Sequence, residues 1–245
     1  MDPAPRSERL ARAGRWLAFG GFAVLVVTVG LGVVGAVLGP VLPAPTVAAR
    51  TVGPASILPT RPAQRVSVDP LSQRLTVEPW LSGQLPGEPF AYEAPTSTKG
   101  LFTEATIGGV TTDPAWIRDE NLPVAVIAAD MELRAVVEGD LAVTGRGVVA
   151  ELSRRLYQDL SGLQVTDVRS DAPTAIGPHP AQWAHANVTG GLSDGRTERA
   201  ALSLLLVALP NGRCFAFVEV RPDHPSAQAH FAALDAAAAS IVSVG

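Results

Sequence analysis

The chain has 245 residues, 19 basic against 23 acidic side chains for a net charge of −4, and one cysteine, Cys214. A lone cysteine excludes an intramolecular disulfide and any Cys-based metal centre, and the acidic balance argues against nucleic acid, which demands a basic footprint. The length suits one anchor and one domain of about 150–175 residues, enough to bury its own core.

The first element is an uncharged run, Leu17–Leu42, preceded by Arg6, Arg9, Arg12 and Arg15. Such a run can cross a hydrocarbon layer of ~30 Å as a helix. Basic residues beside one end of a span stay on the cytoplasmic side. The expected order is a cytoplasmic tail over residues 1–16, a single-pass transmembrane helix over 17–42 and an extracytoplasmic remainder. A cleavable signal peptide is the rival, with Val47-Ala48-Ala49 as small residues for a peptidase. An apolar region of ~7–15 residues is usual there, and this one is longer, which favours an uncleaved cell-membrane anchor. Thr28, Gly32, Gly35 and Gly39 fall on one face of the helix and make it a candidate packing surface, for a homodimer or an envelope protein partner.

Eleven of the 21 prolines lie between Pro40 and Pro95. That density resists helix and central strand alike and predicts an extended Pro-rich stalk over residues 43–98. Two short β-like pieces, Arg65–Val68 and Arg74–Val77, interrupt it as a possible first hairpin. Pro79-Trp80 and Phe90-Ala91-Tyr92 are aromatic clusters suited to docking the stalk on a domain.

From residue 99 the pattern is globular. Leu101–Ile107 and Pro123–Ala129 read as strands, Arg134–Val143 as strand or helix, and Gly147–Leu160 as a helix with Val149, Leu152, Leu156 and Leu160 on one face. Leu163–Arg169, Ala181–Thr189, Arg199–Leu209 and Arg213–Val220 read as strands. Asn211-Gly212 turns the last two into a hairpin, and the last three form an antiparallel meander. Leu202–Leu209 is apolar at every position but one, as a strand covered on both faces would be. An Ala-rich helix over Ser226–Val242 closes the chain. The predicted class for residues 99–245 is α+β, an antiparallel sheet packed against helices.

Gly177-Pro178-His179-Pro180-Ala181 entering a strand, Leu209-Pro210-Asn211-Gly212-Arg213 in a hairpin, and a terminal helix ending near Ser240-Ile241 resemble the PsbP/Mog1-type α+β sandwich. In actinobacteria that group includes secreted lipoproteins of the LpqN kind, and the eighteen-to-one excess of Arg over Lys also resembles a high-GC genome. The chain departs from the lipoprotein members in lacking a lipobox cysteine. The resemblance implies an accessory or binding role without catalysis. An NTF2-like cone is the alternative fold.

Motifs for nucleophilic hydrolases, zinc peptidases, P-loops and dinucleotide folds are absent from the sequence. His179 and His185 flank Trp183, and Trp183 and His185 share a strand face, with Asp171 and Asp194 the nearest acids. His224 and His230 stand near Asp223, Cys214 stands beside Arg213, and Asp119-Glu120 lies near Glu104 and Asp113. Each is better explained as a cap, a core residue or a solvated acid than as chemistry, so no catalytic, cofactor or metal residue is assigned. The expected function is a non-catalytic, membrane-anchored accessory or scaffold subunit of a bacterial envelope complex. A small-molecule or lipid-binding module is the alternative. An unrecognised hydrolase centred on His179, His185 and Asp171 is the third reading.

Overall fold

A computed structural model of the chain describes residues 65–93, 96–98, 100–110, 124–192 and 195–244. The chain divides into two units, Met1–Ser56 and Ile57–Gly245, and every described residue belongs to the second. The membrane segment Leu17–Leu42 with its packing residues Thr28, Gly32, Gly35 and Gly39 lies outside the described residues, and among the described residues no helix is long and apolar enough to cross a membrane.

Two antiparallel sheets dominate. The smaller has the order β1 (Val66–Val68), β2 (Arg74–Val77), β3 (Leu81–Gln84) and β13 (Val242–Ser243). The larger runs β4 (Ala91–Tyr92), β6 (Phe102–Val110), β7 (Val124–Met131), β12 (Cys214–Pro222), β11 (Thr197–Ala208), β10 (His179–Gly191) and β8 (Ser161–Ser170). Two short strands flank it, β5 (Thr96–Thr98) on β6 and β9 (Thr174–Ile176) on β10. Helices are a minor part: α1 (Leu141–Leu156), then α2 (Pro225–Gln228) and α3 (Phe231–Ala239) near the C-terminus.

The expected α+β sandwich, one antiparallel sheet packed against helices behind an N-terminal membrane helix, is therefore corrected to a mainly β architecture with a second sheet. Two stretches account for the difference. Residues 66–84, inside the predicted stalk, form three strands that pair with one another. Their prolines stand at the corners: Pro70 in the turn after β1 and Pro79 in the turn after β2, where a missing donor costs nothing. The closing helix is also shorter than predicted. It breaks at Ala229-His230 and ends at Ala239, after which Ser240 Oγ donates to Ala237 O at 2.7 Å and Gln84 N donates to Ser240 Oγ at 2.7 Å. Val242 and Ser243 then pair as β13 with β3.

Helix α1 begins six residues earlier than the apolar periodicity indicates. Asp140 caps it, its side chain accepting from Val143 N at 2.8 Å. Gly145 lets the helix come down on β10, since a Cβ there would stand 2.9 Å from Ala184 Cβ.

Burial falls in two layers, one on each face of the large sheet. Ala184, Leu204, Val218 and Ile127 face α1, with Val149 and Leu152. Leu205, Phe217, Ala128 and Phe215 face the other way and share an apolar cluster with Leu75, Val77, Leu81 and Leu234. Strand β11 is thus covered on both faces along Leu204–Val207.

Two buried ionic features stand out. Arg213, 5% exposed, donates through Nε to Asp130 Oδ1 at 3.1 Å and through Nη2 to Asp130 Oδ2, Thr103 Oγ1 and Met131 O. Glu198, on β11, and Tyr157, just after α1, are both buried, and Glu198 Oε1 and Tyr157 Oη have no hydrogen-bond partner among the described residues. Burial pushes the Glu198 carboxyl up to about 7; Arg196 opposes the rise and Asp223 adds to it.

Both features carry predictions. Arg213→Ala removes the guanidinium from the buried Asp130 carboxylate and should cost about 3–5 kcal/mol, read as a lower urea midpoint. An apolar pair, Asp130→Leu with Arg213→Met, should recover most of that loss. For Glu198 the folded state binds the proton more tightly than the unfolded chain. Its contribution to stability therefore falls as pH rises from the ordinary 4.5 towards about 7. Glu198→Gln should remove that fall, seen as a difference in melting temperature between wild type and variant that widens from pH 4.5 to pH 7.5.

Candidate functional site

Register in the large sheet produces the site. On the face away from α1, one row across neighbouring strands is Trp183, Leu205, Phe217 and Ala128. Two residues further along each strand the row is His185, Ser203, Glu219 and Val126. Because strand side chains alternate with a period of two, both rows share a face. The first row is nearly all apolar and the second is mostly polar. An open cleft of about 330 Å³ lies over the polar row, with Asp235 and Ala238 of α3 on its far side.

His185 connects two elements. Its Nε2 lies 3.0 Å from Asp171 Oδ2, and its Nδ1 lies 3.0 Å from Ser203 Oγ. An ionised carboxylate only accepts, so Nε2 carries the hydrogen donated to Asp171, and Nδ1 of the neutral ring accepts from the Ser203 hydroxyl. Asp171, just beyond β8, is held by backbone contacts on both sides. Its N–H donates to Trp183 O at 3.1 Å, and its carbonyl accepts from Gln182 Nε2 at 2.6 Å. The Trp183 and His185 rings lie nearly parallel, 9° apart, with centroids separated by 6.1 Å.

The other half of the cleft is ionic. Glu219 is 3% exposed, and its Oε2 accepts from Arg221 Nε at 3.2 Å and from Nη2 at 2.7 Å. Arg221 Nη2 also donates to Asp235 Oδ1, and the guanidinium lies 5.5 Å from the Phe231 ring centroid. Burial pushes the Glu219 carboxyl above its usual range; Arg221 opposes the rise, Asp235 adds to it and His185 opposes it weakly.

Of the residues singled out in the sequence, His185, Asp171 and Trp183 come together here. His179 does not: it is 4% exposed and packs edge-on against Trp80, centroids 6.0 Å apart. His224 caps α2, its Nδ1 accepting from Ser226 N at 3.3 Å, and His230 lies edge-on to Phe90. The two do not form one site. Glu104 stands opposite Asp130 on β6, while Asp113, Asp119, Glu120 and Asp194 lie outside the described residues. Among the described residues no group of three or more His, Cys, Asp or Glu has the geometry to hold a metal ion.

Ser203, Glu219, Arg221 and Asp235 are the residues that sequence reasoning missed. A signal was present: Ser203 is the one polar position within Leu202–Leu209, and Glu219 interrupts an otherwise apolar Cys214–Val220. A polar residue in a strand covered on both sides marks a place where its layer opens.

No protein-family model and no curated protein matches the chain.

Cys214 is 4% exposed, and burial pushes its thiol up to about 11, with Asp130 adding to the rise and Arg213 opposing it. The thiolate is the reactive form. Ellman's reagent at pH 8 should therefore leave native Cys214 unmodified over a time in which the urea-unfolded chain reacts fully.

Proposed function

We propose that this chain is a non-catalytic binding protein of a bacterial envelope, an accessory subunit tethered by Leu17–Leu42, whose recognition site is the cleft over His185, Ser203 and Glu219. The observation that carries the reading is the convergence of Asp171, His185, Ser203, Glu219, Arg221 and Asp235 on one open stretch of an otherwise apolar sheet face. A few polar groups placed in a cleft fix the orientation of a ligand. The charged lining favours a polar ligand, or a polar side chain of a partner protein, over a lipid.

The line Asp171–His185–Ser203 invites comparison with a hydrolase triad, and the local backbone argues against it. Ser203 sits in mid-strand, paired with His185 on one side and Glu219 on the other. An inner strand commits its N–H groups to the ladder, leaving none to stabilise an oxyanion beside the hydroxyl. Nor does the serine stand on a sharp strand-to-helix turn that would lift it towards substrate.

In this reading the glycine face at Thr28, Gly32, Gly35 and Gly39 packs against a second membrane helix, of an envelope partner or of another copy. Purification of the full-length protein in mild detergent, followed by mass spectrometry, should recover a stoichiometric partner or ligand. Glu219→Ala, which removes the carboxylate at the centre of the cleft, should lose it. A monodisperse protein carrying nothing would overturn the accessory role. A fluorophosphonate probe should leave Ser203 unlabelled, and an adduct on Ser203 would overturn the non-catalytic reading.

A further inference from the structure

Taking the cleft as the binding site, as above, we propose that it receives an organic cation, an ammonium or guanidinium group that sits against the Trp183 ring and donates to Glu219. Charge is the first reason. Among the residues that line the cleft, three carboxylates, Asp171, Glu219 and Asp235, stand against one guanidinium, that of Arg221, while Arg169, opposite His185 on β8, pairs with Asp167. Arg221 is already engaged, donating to Glu219 and Asp235.

The second reason is an unused acceptor. Both Arg221 contacts to Glu219 fall on Oε2, which leaves Oε1 able to accept from a group in the cleft that Glu219 lines. A carboxylate oxygen gains most from a charged donor. The Ser203 hydroxyl gives its hydrogen to His185 and so offers the cleft only lone pairs.

The third reason is Trp183. Its ring stacks on that of His185, 9° from parallel, and lines the cleft, and an indole is the aromatic surface on which organic cations rest best. An anion would meet three carboxylates and only one cation, already engaged. A metal ion lacks the ligand geometry among the described residues. The cation can arrive free or at the end of a partner's Lys or Arg side chain, and the chemistry at the cleft is the same.

The test is an NMR titration of the full-length protein in detergent micelles, following the ring signals of Trp183 and His185. The probes are n-butylammonium, the blocked tripeptide Gly-Lys-Gly, n-butyrate and methyl glucoside. Saturable shifts are expected with the two ammonium probes only. Tighter binding of the tripeptide assigns the source to a protein side chain, and tighter binding of n-butylammonium assigns it to a free amine. Glu219→Gln should weaken the ammonium probes about tenfold, the loss of one charge-assisted hydrogen bond. Asp235→Asn, at a position whose side chain is 65% exposed, should weaken them less but measurably. Equal or better binding of butyrate or the glucoside overturns the cation while leaving the cleft a binding site. Saturable shifts with none of the four overturn both.

Discussion

The buried pair of Arg213 and Asp130 is the constraint on which the large sheet depends. It joins β12 to β7, and through Thr103 it reaches β6. Such a pair adds little stability compared with an apolar replacement, but separating its members is expensive. Its consequence is register. Phe215 stands opposite Asp130, so Arg213 reaches the carboxylate only if β12 and β7 are aligned as they are. A slip by one residue would turn Arg213 to the opposite face. The same alignment sets Glu219 opposite Val126 and, across β11, beside Ser203 and His185. A structural ion pair at one end of the sheet thus holds the polar row together further along it.

That row exists because the second layer is short. The small sheet and the C-terminal helices cover Phe215, Phe217, Leu205 and Val207, and the side chains in that zone are apolar. One row further on, cover gives way to an open cleft, and the side chains change to His, Ser and Glu. Each polar group there is fixed by something other than water. Asp171 is held by the backbone of β10 and the Gln182 amide, His185 by Asp171 and Ser203, and Glu219 by Arg221. The ordering cost of these side chains is met in folding, so a ligand meets groups already in place.

Much of the sheet was legible in the sequence. Asn211-Gly212 marked the hairpin, and Gly212 adopts the positive φ of 75° that makes the pair a strong turn signal. The alternation along Ala181–Thr189 marked β10, and continuous apolarity marked β11 and β7. What was hidden follows a pattern. Prolines at every few residues suggest an extended stalk, but strands only three or four residues long can place each proline in a turn, and β1, β2 and β3 do so. The start of α1 was masked because Gly145 and Gly147 weaken helix propensity, and Gly145 is there for its close approach to Ala184. At the site, His185 and Asp171 were visible as candidates, since they lie 14 residues apart. Glu219, Arg221 and Asp235 come from later strands and a helix that only tertiary pairing brings near.

The mid-strand position of Ser203 decides between two chemistries that share the same three side chains. A nucleophile needs an exposed, strained turn and free N–H groups to receive developing negative charge. An antiparallel ladder supplies neither, since every inner N–H is already bonded to a neighbouring strand. What a ladder supplies is a rigid floor with side chains at fixed spacing and fixed face. In that setting Asp171 and His185 orient the Ser203 hydroxyl inward and leave its lone pairs outward, and the carboxylates beside it add negative potential rather than relieve it. Developing anionic charge would be repelled there, while a positive group would be drawn in. The electrostatics that disfavour acyl transfer at this serine are those that favour a cation, so the arguments against catalysis and for cation binding have one origin.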